Sequence, residues 1–426
     1  MTISEVHSIF LSCDAVATDT RKITSNSFFV ALKGDNFDAN SFAKDALSLG
    51  ASYVLIDNKD FYIDQRTILT EDTLATLQEL AKFHRKYLKL PILAITGSNG
   101  KTTTKETVAA VLAKKFKVKA TIGNLNNHIG VPLTLLSFNE KTEFGIVEMG
   151  ANHQKEIEFL CSIALPDYGY ITNFGLAHLE GFGGYEGVIK GKSEMYNYLT
   201  IAEKIAFVNL DDTIQSTKTE NLKRFTFSEK NTIADIFFTK VQAKPFVQLI
   251  ANKTVIQSQL LGLYNAENIK AAIAIGTYFD VNYLDIKDAI EHYIPTNNRS
   301  QMIAVKDHCI ILDAYNANPS SMQNALLNFF QLAADHKVAI LGDMFELGNE
   351  GAKEHKNLIE SLQSSEIDVY FVGKHFFNER IVNPNFKFYE TFDEFAKAFK
   401  HLDIQKSTIL IKGSRGMALE RALELL

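Results

Sequence analysis

The sequence contains no tryptophan, only seven prolines and only three cysteines in 426 residues. Cys13, Cys161 and Cys309 are too far apart for a zinc cluster, and an odd number in so long a chain does not fit a disulfide framework. We interpret them as ordinary buried thiols. The N-terminus lacks a basic segment followed by an apolar signal core, and no apolar run reaches membrane-spanning length. These absences predict a soluble, cytoplasmic protein with no membrane span.

An excess of positive charge is also missing. The formal net charge is −6 and the isoelectric point is about 6.0, which argues against a nucleic-acid backbone or an anionic membrane as the main partner. A small anionic ligand in a local basic pocket fits this composition better. Because 426 residues exceed the size at which one core usually keeps growing, two or three domains are expected.

Changes of hydrophobic pattern divide the chain into three predicted domains. Residues 1–90 indicate a small N-terminal α/β domain. Residues 91–295 contain apolar strands separated by stretches long enough for crossover helices, which predicts a parallel sheet. Residues 296–426 alternate again and predict a Rossmann-like, doubly wound α/β domain. Ligands in such sheets lie beyond the strand carboxyl ends, so we expect a nucleotide between the second and third domains.

The pattern also predicts individual elements within these domains. The first domain has predicted strands at 27–32 and 53–56 and helices at 41–49 and 77–89. The second has predicted strands at 92–95, 145–147, 168–171 and 206–210, an antiparallel hairpin insert between 225 and 261, a helix at 266–278 and a hinge at 295–298. The third has predicted strands at 309–312, 338–341, 369–372 and 408–411, helices at 322–334 and after Gly351, and a terminal helix.

A glycine loop joins the predicted strand 92–95 to a helical pattern. Backbone N–H groups of this loop and the helix N-terminus can face an anion, Lys101 can add a positive charge, and the Thr102 hydroxyl can ligate Mg²⁺. The common phosphate-loop pattern has a glycine where this chain has Ile95, so a plain strand-to-helix turn is the alternative. The strand and helix on either side favour a phosphate loop.

Two further polar residues, Glu148 and His178, lie beyond the ends of predicted strands, and Lys192 lies in a glycine-rich stretch after them. Glu148 comes directly after the strand 145–147, where a carboxylate can hold Mg²⁺ against phosphates. An isolated surface carboxylate is the alternative. For His178 and Lys192, spacing alone leaves an ordinary surface histidine and a solvated lysine as the favoured interpretations.

Several longer motifs occur in a fixed order along the chain. They are Gly97-Ser-Asn-Gly-Lys-Thr-Thr, Val147-Glu-Met-Gly-Ala-Asn, Thr172-Asn173 followed by His178, Lys192-Ser-Glu-Met-Tyr, Tyr264-Asn-Ala-Glu-Asn268 and Asp313-Ala-Tyr-Asn-Ala-Asn-Pro-Ser-Ser-Met322. In this order they resemble the Mur ligase family over nearly the whole chain. Gly342-Asp-Met-Phe-Glu-Leu-Gly348 and Lys412-Gly-Ser-Arg-Gly-Met417 are similar to the branch of that family that uses D-Ala-D-Ala.

The N-terminal domain shows the same resemblance. Asp19-Thr-Arg21 and Phe28-Phe-Val-Ala-Leu-Lys-Gly34 are similar to the uridine-nucleotide-binding domain of that branch, with Thr20 where serine is usual. A generic small α/β domain is the alternative for this segment. The chain departs from the family pattern again at Gln301, where a glutamate is frequent.

The resemblance implies roles for particular residues. The ATP phosphates would be bound by the glycine loop, residues Gly97, Ser98, Asn99, Gly100, Lys101, Thr102 and Thr103. Asn265 and Asn268 would lie on the adenine side, Arg299 near the γ-phosphate and Asp313 on the ribose side. Two Mg²⁺ ions would be held by Thr102, Glu148, His178 and Lys192, the last after carbamylation by CO₂. The implied catalytic residues are Lys101, Glu148, His178, Lys192 and Arg299. Implied substrate-binding residues are Thr20, Arg21, Asn124, Asn126, Asn127, Tyr315, Asn316 and Asn318.

The activity implied by the resemblance is ATP-dependent amide formation through an acyl phosphate. UDP-MurNAc-tripeptide and D-Ala-D-Ala would give UDP-MurNAc-pentapeptide, ADP and phosphate in cytoplasmic peptidoglycan precursor synthesis, and the enzyme would be a monomer. A sibling Mur ligase or a folylpolyglutamate synthetase-like enzyme adding one amino acid is the nearest alternative. A phosphate-loop kinase, a regulatory ATPase and an inactive binding protein are alternatives of other classes.

Overall fold

The computed structural model describes residues 1–402 and 405–426 as three α/β units in chain order. The first contains a parallel sheet with strand order β1-β2-β5-β6 and a separate short hairpin of β3 and β4. Its strands are β1 (Ala15–Ala17), β2 (Ser27–Val30), β3 (Lys33–Gly34), β4 (Phe37–Asp38), β5 (Ala51–Ile56) and β6 (Thr67–Leu69). Its helices are α1 (Ile3–Phe10), α2 (Ala43–Ser48) and α3 (Thr73–Leu88).

The second unit is built on a nine-stranded sheet of order β15-β14-β13-β12-β11-β10-β7-β9-β8. Its strands are β7 (Ile92–Thr96), β8 (Val118–Ala120), β9 (Phe144–Glu148), β10 (Tyr168–Ile171), β11 (Ile205–Asn209), β12 (Lys223–Ser228), β13 (Ile236–Ala243), β14 (Phe246–Ala251) and β15 (Thr254–Leu261). Its helices are α4 (Lys101–Leu112), α5 (Gly130–Leu136), α6 (Glu156–Ala164), α7 (Leu179–Phe182), α8 (Tyr185–Ile201), α9 (Thr213–Lys218), α10 (Ala266–Tyr278) and α11 (Tyr283–Glu291).

Strand β7 explains why this sheet is covered on both faces. Ile92 and Ala94 belong to one apolar core, whereas Leu93 and Ile95 belong to the core on the opposite face. Alternate side chains of a strand point to opposite faces, so a continuous apolar run requires two covering layers. The glycine loop that follows β7 is therefore fixed at the carboxyl edge of a fully buried strand, between β10 and β9.

The predicted hairpin insert between 225 and 261 is only partly correct. Strands β13, β14 and β15 are antiparallel neighbours, as predicted. However, β12 pairs in parallel with β11, and β13 pairs in parallel with β12, so these strands extend the central sheet. The closely spaced apolar runs did not distinguish an insert from a continuation because register is set by partners distant in sequence.

The third unit has a six-stranded sheet of order β16-β17-β21-β18-β19-β20, in which only the β16–β17 pair is antiparallel. Its strands are β16 (Gln301–Val305), β17 (His308–Asp313), β18 (Lys337–Gly342), β19 (Asp368–Val372), β20 (Phe386–Tyr389) and β21 (Thr408–Lys412). Its helices are α12 (Pro319–Gln331), α13 (Gly351–Leu362), α14 (Lys374–Asn378) and α15 (Phe392–Phe399). This arrangement confirms the predicted fold class, a chain of α/β units with a doubly wound unit at the end.

The predicted terminal helix is present, but it is a 3₁₀ helix and not an α-helix. After β21 the chain forms 3₁₀ turns at Arg415–Met417 and Leu419–Leu425, separated by Ala418 in a left-handed conformation with φ 48°. A non-glycine residue in that region interrupts a right-handed helix, and its buried neighbour Leu419 instead packs into the core beside β21. None of the helices in the described ranges is long and apolar enough to cross a bilayer.

Candidate functional site

A cleft of about 970 Å³ lies between the carboxyl edge of the central sheet and the last unit. It is lined by most of the residues that the sequence motifs singled out. These are Ser98, Asn99, Gly100, Lys101, Thr102, Thr103, Asn124, Asn126, Asn127, Glu148, His178, Asn265, Asn268, Arg299, Asp313, Tyr315, Asn316 and Asn318. Residues separated by more than two hundred positions in the chain thus face one space.

Two glycines give the loop between β7 and α4 its shape. Gly97 has φ 139° and Gly100 has φ 79°, conformations that residues with a Cβ rarely adopt. A Cβ on Gly97 would lie 2.0 Å from Thr172 Oγ1, and one on Gly100 would lie 2.5 Å from Asn268 Oδ1. Gly97 therefore lies behind the cleft against β10, and the free N–H groups at the start of α4 face the cleft.

Lys101, the first residue of α4, folds back over this loop. Its Nζ donates hydrogen bonds to the Gly97 carbonyl at 2.7 Å and the Ser98 carbonyl at 3.1 Å. Burial lowers the pKa of the Lys101 ammonium to about 8, Arg299 contributes to the lowering, and the Glu148 carboxylate opposes it. Both hydrogen-bond partners of this ammonium among the described residues are neutral carbonyls. It can therefore still bind an anion, and a phosphate is the ligand that its position favours.

Glu148 is the acidic counterpart of Lys101. It ends β9, is 2% exposed, and accepts hydrogen bonds from Thr102 Oγ1 at 2.9 Å and Asn126 Nδ2 at 2.8 Å. Its own backbone N–H donates to Thr121 Oγ1 at 2.9 Å. The structure thus brings together the hydroxyl and the carboxylate that the sequence placed apart, and both are oxygen ligands of the kind that Mg²⁺ prefers.

Lys192 lies behind the cleft and does not line it. The side chain is 1% exposed on α8, its Nζ donates to the Ala151 carbonyl at 3.1 Å, and it lies 4.9 Å from the centre of the Phe182 ring. Burial holds the pKa of Lys192 well below its ordinary value, and the neighbouring Lys101 charge acts in the same direction. A neutral amine is the form of lysine that reacts with CO₂.

The fit to two magnesium ions is unequal. Thr102 and Glu148 supply adjacent oxygens on the cleft wall, which fits one ion. His178 lines the cleft, but Lys192 as an amine is not an oxygen ligand, and no three acidic, histidine or cysteine side chains within residues 1–402 and 405–426 cluster as a preformed metal site. The fit of a second ion therefore depends on a modified Lys192.

His178 is held by a residue of the last unit. It precedes α7 in a left-handed conformation, and its Nδ1 contacts Glu346 Oε2 in the loop after β18. This contact lowers the pKa of the Glu346 carboxyl below its usual range. The motif with Glu346 was noted in the sequence, but nothing there indicated that its carboxylate would reach His178.

Arg299 and Asp313 bring charge to the cleft from the hinge and the last unit. The Arg299 guanidinium stacks on the Tyr315 ring at 3.8 Å, and its buried Nε has no hydrogen-bond partner among the described residues. Asp313 accepts hydrogen bonds from the Ser300 backbone N–H at 3.1 Å and from Lys412 Nζ at 2.6 Å. Sequence reasoning did not assign Lys412, although its position at the carboxyl end of β21 is where parallel sheets present ligand-binding residues.

Direct hydrogen bonds join the glycine loop to α12 across the cleft. Asn99 Nδ2 donates to Ser320 Oγ at 2.9 Å, and Asn318 Nδ2 donates to Asn99 Oδ1 at 2.8 Å. Asn173 belongs to one of the sequence motifs but was given no role there. Its Oδ1 accepts a hydrogen bond from the Asn99 backbone N–H at 3.0 Å. The loop thus has partners in both units that form the cleft.

The far end of the cleft is amide-rich and acidic. Asn268 Nδ2 donates to Asn265 Oδ1 at 2.8 Å, and Asn268 Oδ1 accepts from Thr104 Oγ1 at 2.9 Å. These bonds connect the two asparagines to the first turns of α4, directly after the glycine loop. Glu267 bonds Asn209 Nδ2 at 2.6 Å and lies 2.6 Å from the fully buried Lys270. Burial raises the pKa of the Glu267 carboxyl. Asn209 and Glu267 also line the cleft. Asn209 lies in none of the quoted motifs, and Glu267 lies within the motif Tyr264–Asn268 but was given no role there.

Thr20 and Arg21 are not brought into this cleft. They lie in a 3₁₀ turn of the first unit, where Arg21 pairs with Asp19 at 2.7 Å and its side chain is 87% exposed. In contrast, Asn124 and Asn127 line the cleft on the side of the central unit. Any ligand that uses both groups must extend from the cleft toward the first unit.

The fold and the cleft define a phosphate-loop protein in which two α/β units enclose a nucleotide-sized site. Two family models match the chain: "Mur ligase middle domain" over residues 95–276 and "Mur ligase, glutamate ligase domain" over residues 298–415. The chain belongs to the Mur ligase family.

Similar curated proteins cover almost the whole chain. UDP-N-acetylmuramoyl-tripeptide–D-alanyl-D-alanine ligase of Bacillus subtilis is 34% identical over 96% of this chain and 92% of its own length. The Escherichia coli protein of the same name is 33% identical over 99% of this chain and 95% of its own length.

Solved structures show the same three-unit fold. MurF from Acinetobacter baumannii superposes with a TM-score of 0.86 at 29% identity, covering 99% of this chain and 97% of that one. MurF from Thermotoga maritima in complex with ADP gives 0.83 at 26% identity, covering 98% and 97%.

Proposed function

We propose that this chain is an ATP-dependent amide ligase that joins D-Ala-D-Ala to UDP-MurNAc-tripeptide. The observation that carries the proposal is the cleft itself, in which the glycine loop, Lys101 and Glu148 face Arg299 and Asp313 of the hinge and last unit. The names of the curated relatives support the substrates, and the ADP complex of the Thermotoga maritima protein supports ATP as the nucleotide.

The reaction has two steps. A terminal carboxylate oxygen of the tripeptide attacks the γ-phosphorus of ATP, an acyl phosphate forms, and ADP leaves. The amine nitrogen of D-Ala-D-Ala then attacks the acyl carbon, the C–O bond to phosphate breaks, and the amine loses a proton as the amide forms. Activation is necessary because a carboxylate is a poor acyl donor at neutral pH.

The residues of the cleft serve this chemistry mainly by positioning and charge. Lys101 and the loop N–H groups hold the phosphates, and Arg299, kept in place by its stacking on Tyr315, faces them from the other side. Thr102 and Glu148 would hold one Mg²⁺, which would offset charge between the attacking carboxylate and the phosphates. Asn265, Asn268 and Asp313 are assigned to the nucleoside end of ATP.

The residues assigned to substrate binding lie on different units. Thr20 and Arg21 are assigned to the uridine nucleotide on the first unit, and Asn124, Asn126 and Asn127 to the muramoyl peptide as it enters the cleft. Tyr315, Asn316 and Asn318 are assigned to the acceptor side. This division is consistent with a long substrate that spans the first two units.

Carbamylation of Lys192 is part of the proposal. CO₂ adds to the neutral amine and a proton is released, which turns a buried neutral side chain into an anion able to join His178 around a second Mg²⁺. The low pKa of Lys192 supports this step. Incubation with ¹³C-labelled bicarbonate should give a carbamate carbon signal in NMR that is absent from Lys192→Ala. Normal turnover of a folded Lys192→Ala protein would refute a required carbamate.

The decisive experiment measures ADP release with substrates crossed in pairs. Several UDP-MurNAc-tripeptides are combined with D-Ala-D-Ala or with single amino acids. Release that requires both a tripeptide and D-Ala-D-Ala supports the proposal. Release with a single amino acid favours a sibling ligase, and release with ATP alone favours a regulatory ATPase. We expect a cytoplasmic monomer, which light scattering during gel filtration can test for the oligomeric state.

A further inference from the structure

The loop after β18 contains an acidic residue that the proposed reaction does not use. Residues 343–348 read Asp-Met-Phe-Glu-Leu-Gly, and the Glu346 carboxylate extends from the last unit to His178 of the central unit. His178 lines the cleft with its side chain 20% exposed, whereas Glu346 is 53% exposed. The contact therefore joins two units at the rim of the candidate active site.

Both partners of this contact have unusual backbone conformations. His178 has φ 54° and Glu346 has φ 63°, so each is a non-glycine residue in the left-handed region. Such residues are strained, and they tend to cluster at functional sites where the surroundings hold them. Gly348, also left-handed, lets the loop approach Glu180 of α7 so closely that a Cβ would lie 3.1 Å from the Glu180 Cβ.

The base of the loop is fixed by hydrogen bonds within the last unit. Buried Asp343 accepts from the backbone N–H groups of His375 at 2.9 Å and Phe376 at 3.0 Å. The Met344 N–H donates to His355 Nε2 at 3.0 Å, and the Phe345 N–H donates to Ser414 Oγ at 2.9 Å. Glu346 is therefore presented from an anchored loop, and its reach depends on where the whole last unit lies.

The magnitude of the contact argues against a role in overall stability. A contact between an imidazole and a half-exposed carboxylate adds little to folding stability, less than the left-handed backbone at the two residues costs. In contrast, a displacement of about 1 Å at a reacting centre can cost about a hundredfold in rate. The contact between Glu346 and His178 can therefore affect the position of His178 more than it affects the stability of the fold.

We propose that Glu346 is a positioning residue that acts across the cleft, fixing the orientation of His178 only when the last unit lies against the central unit. The inference rests on the proposed function for its kinetic effect. It makes His178 correctly oriented in the closed arrangement and free to turn in an open one. Productive chemistry is then coupled to domain closure through one side chain.

Three substitutions of Glu346 separate positioning from structure. Glu346→Ala removes the carboxylate, and we expect kcat to fall about tenfold with little change in the KM for ATP. Glu346→Gln keeps an oxygen that can accept from His178 and should recover most of this loss. Glu346→Gly also removes the contact but relieves the left-handed strain, so it should lower kcat while leaving Tm unchanged or higher. A purely structural role predicts instead that activity and Tm fall together.

Two measurements make the test specific. In a double-mutant cycle, Glu346→Ala should have almost no further effect in a His178→Ala background, because the two residues act as one unit. Hydrogen exchange of residues 179–186 with ADP bound should be several-fold faster in Glu346→Ala than in the wild type. Glu350→Gln is the matched control, since Glu350 lies just before α13 and pairs with Lys353 of that helix at 2.9 Å, away from His178.

Additive effects in the cycle, or unchanged exchange in Glu346→Ala, would overturn the inference. A wild-type protein that shows no ADP release dependent on D-Ala-D-Ala would instead refute the proposed function. In that case the exchange measurement still decides whether Glu346 holds His178, so the two failures are distinguishable.

Discussion

At the scale of single residues, the glycine loop depends on an absence of side chains. Gly97 combines φ 139° with a space already occupied by Thr172 Oγ1, so a side chain there is excluded by backbone conformation and by contact. The missing glycine at Ile95 has no such consequence, because Ile95 is a fully buried β7 residue that packs into the core. The departure from the common pattern therefore leaves the loop intact.

Gly97→Ala should reduce turnover at least about tenfold, because the overlap with Thr172 forces the loop away from the phosphate position. The strained backbone should also lower the free energy of unfolding by roughly 1–3 kcal/mol. Gly50→Ala is the matched control. Gly50 also has a positive φ, 113°, but a Cβ added there would lie no closer than 3.4 Å to any neighbouring atom, and Gly50 does not line the cleft. That variant should lose stability without losing turnover. Equal turnover in the two variants would contradict the loop assignment.

Lys101→Met keeps most of the length of the side chain and removes its charge. Removing a positioned electrostatic contact typically costs about 10²–10³-fold in rate, so we expect a loss of this size in single-turnover ADP formation. Lys86→Met, a change at an exposed lysine of α3, should have no effect. ADP formation at the wild-type rate in Lys101→Met would exclude a phosphate-binding role for Lys101.

Residue types and local order were enough to single out Lys101, Thr102 and Glu148 as candidates, and the structure places all three at one cleft. They were not enough for Lys412 or Glu346. Each contacts a partner about one hundred or more positions away in the chain, Asp313 for Lys412 and His178 for Glu346. Such contacts depend on the relative placement of strands and units, and a single sequence carries no direct signal for it.

At the scale of elements, strand and helix periodicity located most of the scaffold. The predicted strand 168–171 and helix 266–278 coincide with β10 and α10. The strands β16 and β20 lie at the sheet edges and were missed, because partly exposed edge strands lack a continuous apolar run. Local pattern therefore describes buried central strands best, and these are the strands whose ends carry the site.

Helix α12 contacts the glycine loop through the residue that caps its N-terminus. The Asn318 side chain caps the helix by accepting from the Ser321 N–H at 2.9 Å, and its Nδ2 reaches Asn99 across the cleft. Asn318→Ala should lose both contacts, lowering the free energy of unfolding by about 1 kcal/mol and raising the KM for ATP.

Asn318→Asp divides these two effects. A carboxylate still caps the helix, so the free energy of unfolding should return to the wild-type value. It also places an oxygen against Asn99 Oδ1, so the KM for ATP should stay high. Calorimetry and steady-state kinetics on both variants make the comparison, and a normal KM in Asn318→Asp would show that the bond to Asn99 is dispensable.

At the scale of the whole molecule, the candidate site depends on two junctions, one between the central and last units and one between the first and central units. The cleft needs the central and last units together, whereas the assigned Thr20 and Arg21 need the first unit to stay fixed to the central one. The second junction is formed by buried side chains of α3, one of which is held from within the first unit by α1. His84 Nε2 donates to the Phe138 carbonyl of the central unit at 3.0 Å, and His84 Nδ1 accepts from His7 Nε2 at 3.0 Å.

This histidine pair predicts an acid-sensitive junction. Burial lowers the pKa of His7 to about 4, helped by the adjacent His84, and burial also lowers the pKa of His84. An unfolded histidine has a pKa near 6.5, so the unfolded state binds more protons as pH falls below that value. The stabilising effect of two neutral rings is therefore fully present above about pH 6.5 and declines as pH falls toward 4.

We expect the α1 and α3 amides to lose protection from hydrogen exchange between pH 7 and pH 5, after correction for intrinsic rates. His7→Gln can still donate to His84 and does not titrate, so it should lose less protection over that range. His292→Gln, at an exposed histidine of the central unit, should behave as the wild type. If His7→Gln and the wild type lose protection equally, the pair does not control the junction. A difference confined to α1 and α3 would show that acid loosens the first unit while the nucleotide cleft stays closed.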